Sequence, residues 1–209
     1  MTFVKICGIT CVEDALAAAK LGANILGFVF ADSPRQAEPA TVKHIMRILG
    51  GDVKTVGVFT EESEEVLRLI DDLGLAYVQL HGGQSDEFAH RIGGSRVIRA
   101  VRIRNEASLN ALTDYQASVY YLLDSYRPGI AGGTGEVFDW TLAAQAKSFG
   151  KPVFLSGGLT PGNVAEAIET VRPYAVDVAS GVEESPGRKD HTKVKEFIEN
   201  VRKADAASG

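Results

Sequence analysis

The chain has 209 residues, 45% of them hydrophobic and 23% charged, which is enough for one full core of ordinary soluble composition. Its formal net charge of -5 argues against the basic face of a nucleic-acid binder. It also has no apolar run near the roughly 20 residues of a membrane span and no basic segment leading into an apolar signal region. One cytoplasmic domain over residues 1–209 is expected, with the mostly small-residue end, 204–209, frayed.

In chain order, a β-rich apolar run alternates with a helical pattern eight times. The runs fall at 3–7, 25–30, 55–59, 77–80, 97–101, 119–124, 152–156 and 175–179. The helical stretches fall at 12–21, 39–49, 63–73, 85–92, 107–115, 138–149, 161–171 and 191–203. Several open on start signals, such as Glu38-Pro39 and Thr160-Pro161, and Thr10 is the expected cap of a first helix carrying Glu13 and Asp14 in its opening turn. Alternating strands and helices read as βαβ units, and eight of them fit a single (β/α)8 TIM barrel. An open doubly wound sheet would want a glycine-rich dinucleotide turn after an early strand, and Cys7-Gly8-Ile9-Thr10-Cys11 is not one.

A barrel carries its chemistry at the C-terminal ends of the strands. The first run places Phe3, Lys5 and Cys7 on one face and Val4 and Ile6 on the other. The hydrocarbon face suits burial under helices, so the face with Lys5 and Cys7 opens onto something polar. The second run leads to Ser33-Pro34-Arg35, the fourth ends in Gln79 and His81, the sixth in Asp124, and the eighth carries Asp177. Gly132, Gly133 and Gly135 follow the sixth run, Gly157 and Gly158 the seventh, and Ser180 and Gly181 the eighth. Glycine lets backbone N–H groups approach a phosphate, and three such loops in neighbouring units point to a phosphorylated small molecule.

Cys7 and Asp124, on opposing sides of one mouth, can act as base and acid on a substrate held between them. Taken alone, a strand cysteine is also a small core residue and a strand-end aspartate a loop cap. Lys5 is either the cation beside the thiol or a barrel charge paired with an acid. Arg35 could take a carboxylate bidentately or simply face solvent. His81 reads first as a hydrogen-bonding wall residue. Only Cys7 and Cys11 are present, so both are expected as free thiols, and the four histidines form no ligand-spaced cluster with them, which argues against a metal site.

Together the motifs Lys5-Ile6-Cys7-Gly8-Ile9-Thr10, Ser33-Pro34-Arg35, Val78-Gln79-Leu80-His81-Gly82, Leu123-Asp124 with Gly132-Gly133-Thr134-Gly135, Ser156-Gly157-Gly158-Leu159 and Asp177-Val178-Ala179-Ser180-Gly181-Val182-Glu183 resemble the phosphoribosylanthranilate isomerase family of tryptophan biosynthesis, in order and over essentially the whole chain. The resemblance implies an Amadori rearrangement of N-(5-phosphoribosyl)anthranilate without a cofactor. It implies Asp124 as general acid and Cys7 as general base, Arg35 on the anthranilate carboxylate, the three glycine loops on the phosphate and Asp177 on the opened sugar, while Gln79 and His81 are expected as substrate-binding residues from their place at the end of the fourth run. Gln36 stands where the family commonly has an aromatic residue, and Ala179 where it often has a second serine. The related barrel isomerase of histidine biosynthesis uses an aspartate at the position of Cys7 and has two similar half-barrels. A phosphosugar-binding barrel without catalysis would need neither Cys7 nor Asp124. A monomer and a homodimer are equally compatible with the apolar helix faces.

Overall fold

Each apolar run becomes a strand, and the eight strands close on themselves. In the computed structural model, which describes residues 1–125 and 139–207, they are β1 (Phe3–Cys7), β2 (Ile25–Val29), β3 (Lys54–Phe59), β4 (Tyr77–Leu80), β5 (Val97–Ile103), β6 (Tyr120–Ser125), β7 (Val153–Leu155) and β8 (Ala175–Val178). All pair in parallel with their sequence neighbours and β8 returns to β1, so the barrel sheet has no open edge. This is the TIM barrel that the alternation predicts.

The two-residue period of the strands divides the core in two. Val4, Ile6, Leu26, Phe28, Val78, Leu80, Leu123, Leu155 and Val176 point outward into a large apolar layer under the helices. Ile25, Val56, Ile98, Ala100, Leu122, Phe154 and Ala175 point inward and fill the barrel toward the N-terminal ends of the strands. Tyr77, Tyr120 and Tyr174 pack against that plug, with the Tyr120 and Tyr174 rings stacked at 4.9 Å. Two positions further along β1, β4 and β8 than Phe3, Tyr77 and Ala175, the inward residues turn polar: Lys5, Gln79 and Asp177 are all buried. The barrel interior is thus apolar and aromatic at its floor and charged at its middle, below the mouth where the chemistry would sit.

Helices α1 (Val12–Leu21), α2 (Pro39–Leu49), α3 (Glu64–Leu73), α4 (Asp86–Ile92), α5 (Trp140–Ala146), α6 (Val164–Val171) and α7 (His191–Ala207) surround it. Ser63 and Ser85 precede α3 and α4 as caps, accepting from Val66 N–H and Phe88 N–H. Four expectations are corrected. The cap position of α1 is Cys11, and the Thr10 hydroxyl donates instead to Gly187 O at 2.6 Å. The 107–115 stretch is a 3-10 helix, Glu106–Asp114, because its small polar side chains bond local backbone: Asn105 and Ser108 form a capping box, and Thr113 Oγ1 donates to Asn110 O. Helix α6 starts at Val164 rather than at 161, since Asn163 spends its side chain on Thr160 N–H and Gly158 O. The end expected to fray from 204 stays helical through Ala207; Ala204 is buried and the Asp205 carboxylate takes the Thr2 N–H and hydroxyl.

After β8 the chain forms a hairpin with no counterpart in the expected pattern, β9 (Glu183–Ser185) and β10 (Arg188–Lys189). Strands of three and two polar residues carry no periodic signal. Asp14 of α1 anchors this hairpin by accepting from Lys189 N–H at 2.9 Å, and its other oxygen is 2.8 Å from His191 Nε2. Among the described residues no helix is long and apolar enough to cross a membrane.

Candidate active site

Cys7 ends β1 on the inner face, 8% exposed, and lines a cavity at the C-terminal mouth of the barrel. Two positions below it the fully buried Lys5 ammonium donates to Asp177 Oδ1 at 2.7 Å, across the β1–β8 seam where the two residues are register partners. The Ser156 hydroxyl at the end of β7 donates to Asp177 Oδ2 at 3.1 Å. Lys5 is therefore both a barrel charge paired with an acid and the cation beside the Cys7 thiol. Burial alone would lower the Lys5 pKa, but the Asp177 carboxylate and the neighbouring Cys7 hold it above the ordinary value. For the Cys7 thiol, burial pushes the pKa up and Asp177 adds to the rise, while Lys5 pulls it back; the net shift is upward.

Gly27 of β2 makes room for both groups. A Cβ there would lie 2.8 Å from Cys7 Sγ and 3.1 Å from Lys5 Cε. No positive φ is involved, so space is the sole obstacle. Gly27→Ala is expected to destabilise the fold by about 1–3 kcal/mol through overpacking, against the strand preference of alanine. Urea denaturation checks this, and an unchanged midpoint would show that the thiol and the lysine stem move aside freely.

Asp124, on β6, faces Cys7 around the same cavity. Its Oδ1 accepts Ser125 N–H at 2.9 Å, and its Oδ2 is 3.4 Å from His81 Nε2. His81 Nδ1 in turn lies 2.9 Å from Gln79 Nε2. With the amide nitrogen as donor, Nδ1 is the acceptor and the ring hydrogen sits on Nε2, toward Asp124. Gln79 Oε1 is buried with no partner among the described residues, in a side chain that also lines the cavity. Gly157, at φ 85, has no Cβ to occupy the place beside Asp124, where one would lie 2.9 Å from Oδ1.

Arg35 reaches the cavity from the loop after β2, and its guanidinium is already engaged. Nε donates to Glu183 Oε1 at 2.9 Å and Nη2 to Oε2 at 2.8 Å, and the Lys189 ammonium donates to the same carboxylate at 2.8 Å. Burial opposes the Glu183 charge, but Arg35 and Lys189 outweigh it and hold its pKa below the usual range. Burial pushes Lys189 below its ordinary value despite the carboxylate. Gln36, beside Arg35, turns back on Ser33 O and does not line the cavity.

The barrel mouth thus brings together Cys7, Arg35, Gln79, His81, Asp124, Asp177, Gly157, Gly158 and Ser180. Gly181 does not line it; its missing Cβ gives way to the Leu159 carbonyl instead. Gly132, Gly133 and Gly135 lie outside the described residues. Sequence reasoning missed Lys189 and Arg102, which lines the cavity from β5, and gave Glu183 no role although it closes the last quoted motif. Both cysteines are free, and among the described residues no cluster of three or more histidine, cysteine or carboxylate side chains could hold a metal ion.

Residues 4–200 match the family model described as N-(5'phosphoribosyl)anthranilate (PRA) isomerase. A relative of that name from Trichlorobacter lovleyi is 48% identical over 206 residues, spanning 98% of this chain and all of the relative. One from Geobacter sp. strain M21 is 51% identical over 205 residues, 97% of this chain and 99% of the other. The crystal structure of phosphoribosyl anthranilate isomerase from Thermotoga maritima superposes with a TM-score of 0.90 at 42% identity, covering 97% of this chain and 100% of that one. A phosphoribosyl anthranilate isomerase in complex with reduced 1-(o-carboxyphenylamino)-1-deoxyribulose 5-phosphate does so with a TM-score of 0.86 at 40% identity and the same coverage.

Proposed function

The chain belongs to the N-(5'-phosphoribosyl)anthranilate isomerase family, and from that premise we propose that it converts N-(5-phosphoribosyl)anthranilate to 1-(2-carboxyphenylamino)-1-deoxyribulose 5-phosphate in cytoplasmic tryptophan biosynthesis, with Asp124 as general acid and Cys7 as general base. The observation that carries the reading is that Cys7 and Asp124 line one cavity from β1 and β6, together with Arg35, Gly157 and Gly158.

The reaction needs one acid and one base. Asp124 gives its proton to the furanose ring oxygen as the C1–O bond breaks, and the lone pair of the anthranilate nitrogen forms the C1=N iminium. The iminium is an electron sink, so the C2 proton becomes acidic enough for a weak base. Cys7, as thiolate, removes it; the C2–H electrons form C1=C2 and the iminium collapses to an enolamine. The enolamine gains a proton at C1 and loses the one on its C2 hydroxyl, which leaves the ketone. Proton exchange with solvent returns Cys7 to thiolate and Asp124 to acid. His81 Nε2–H, fixed by Gln79, orients the Asp124 carboxylate, and the unpartnered Gln79 Oε1 is an acceptor for a substrate hydroxyl. Arg35 holds the anthranilate carboxylate. Asp177, already bonded to Lys5 and Ser156, presents its remaining lone pairs to the opened sugar. The backbone at Gly157, Gly158 and Ser180, with the loop of Gly132, Gly133 and Gly135, takes the phosphate.

Loss of phosphoribosylanthranilate fluorescence under steady-state conditions tests the activity. Turnover that saturates with substrate is expected of the purified chain, and an inactive wild type would favour a phosphosugar-binding barrel.

A further inference from the structure

We infer that Glu183, steadied by Lys189, is a positioning residue that aims Arg35 at an incoming aromatic carboxylate and so sets the preference of the site for carboxylated over uncarboxylated substrates. The inference rests on the reading of Arg35 as the carboxylate-binding group.

A guanidinium offers two bidentate edges, one formed by Nε and Nη2 and the other by Nη1 and Nη2. Glu183 occupies the first, with Nε at 2.9 and 3.2 Å from its two oxygens and Nη2 at 2.8 Å. Among the described residues nothing takes the second edge, and Arg35 lines the cavity. An arginine side chain loses considerable rotamer freedom when it is fixed, and a clamp on one edge has met that loss before the substrate arrives. The stem of Arg35 is held as well. It crosses Gly8, whose φ is 75° and where a Cβ would come within 2.8 Å of Arg35 Cδ.

The clamp is itself immobile. The Glu183 side chain is 4% exposed, the Lys189 side chain wholly buried, and Gly187 N–H reaches Glu183 Oε1 at 3.4 Å. Thr10 and Asp14 tie the hairpin to the start of α1, directly after the loop that follows Cys7. Charge explains why Glu183 does not exclude the substrate. Arg35 and Lys189 face the one carboxylate of Glu183, so this cluster carries one positive charge in excess, and a second carboxylate on the open edge of Arg35 neutralises it.

The test compares two competitive inhibitors, reduced 1-(o-carboxyphenylamino)-1-deoxyribulose 5-phosphate and its phenylamino counterpart without the carboxylate. Wild type prefers the first and Arg35→Ala loses that preference. Glu183→Gln is expected to lower it about 10-fold or more, with the affinity for the second compound unchanged and KM affected more than kcat. In Arg35→Ala, adding Glu183→Gln has no further effect on it. The pair Glu183→Gln/Lys189→Met removes the partner charge too, and covers the case in which the single variant fails to fold; it shows the same loss. If Arg35→Ala keeps the preference, both readings fall. If Arg35→Ala abolishes it while the Glu183 variants retain it in full, Arg35 binds the carboxylate and Glu183 does not position it.

Discussion

Asp124→Asn and Cys7→Ser will each lower turnover of phosphoribosylanthranilate by on the order of 100-fold or more, the usual scale for removing a general acid or base. Asparagine has the shape of aspartate and can still accept the Ser125 N–H and face His81, so the loss isolates the missing proton. Serine at position 7 fits the space beside Gly27, but its hydroxyl is far less acidic than a thiol and offers no usable base. KM should stay near the wild-type value in both, since neither group holds the anthranilate or the phosphate. The pH profile separates the two roles. A base must be deprotonated, so in Asp124→Asn, where the acid no longer titrates, the residual kcat/KM rises with pH through the Cys7 pKa. Burial, only partly offset by Lys5, places that rise on the alkaline side of an ordinary thiol. Cys7→Ser will lack this limb. Turnover near wild type in either variant would remove that residue from the mechanism.

Asp177→Ala will destabilise the fold by about 3–5 kcal/mol, because it leaves the fully buried Lys5 without its counter-charge. Ser156 loses its acceptor at the same time. The sign of the pH dependence follows from Lys5. In the wild type its pKa is raised, so the pair stabilises fully below the unfolded value of about 10.4 and the contribution is lost only as pH rises through the folded value. In Asp177→Ala burial dominates and lowers the Lys5 pKa, so the variant gains stability as pH rises. The gap between the two should therefore narrow from pH 7 to pH 10 in urea titrations. Lys5→Met with Asp177→Leu, which removes both charges, should recover most of the loss; a double variant as unstable as the single one would mean that the lost packing, and not the stranded charge, is what costs stability.

The barrel was legible because its signals are local and periodic. β1, β4, α1 and α2 have the bounds that the apolar runs and helical patterns predict. Cys7 and Asp124 were legible as strand-end residues, and Asp177 as a residue carried by the eighth strand. What escaped were the partnerships. Nothing in the spacing of Arg35 and Glu183 shows that they meet, 148 residues apart, through a hairpin too short and polar to register as strand. Thr10 reads as a cap until Gly187 O offers a better acceptor. The 106–114 stretch has a helical pattern, but side chains that bond backbone three residues away tighten its turns, a choice that apolar periodicity does not encode.

The seam between β1 and β8 has a consequence for how the molecule is made. Lys5 and Asp177 are 172 residues apart, and the Thr2–Asp205 clasp spans 203. Cys7 is made long before the carboxylate that faces Lys5 beneath it, which arrives only with β8, the last strand of the barrel. Contacts this distant in sequence form late in folding, after the entropy of closing a very long loop has been met. A half-finished barrel therefore displays its thiol and lysine without the constellation around them. Turnover by a newly made chain then has to wait until β8 has closed on β1.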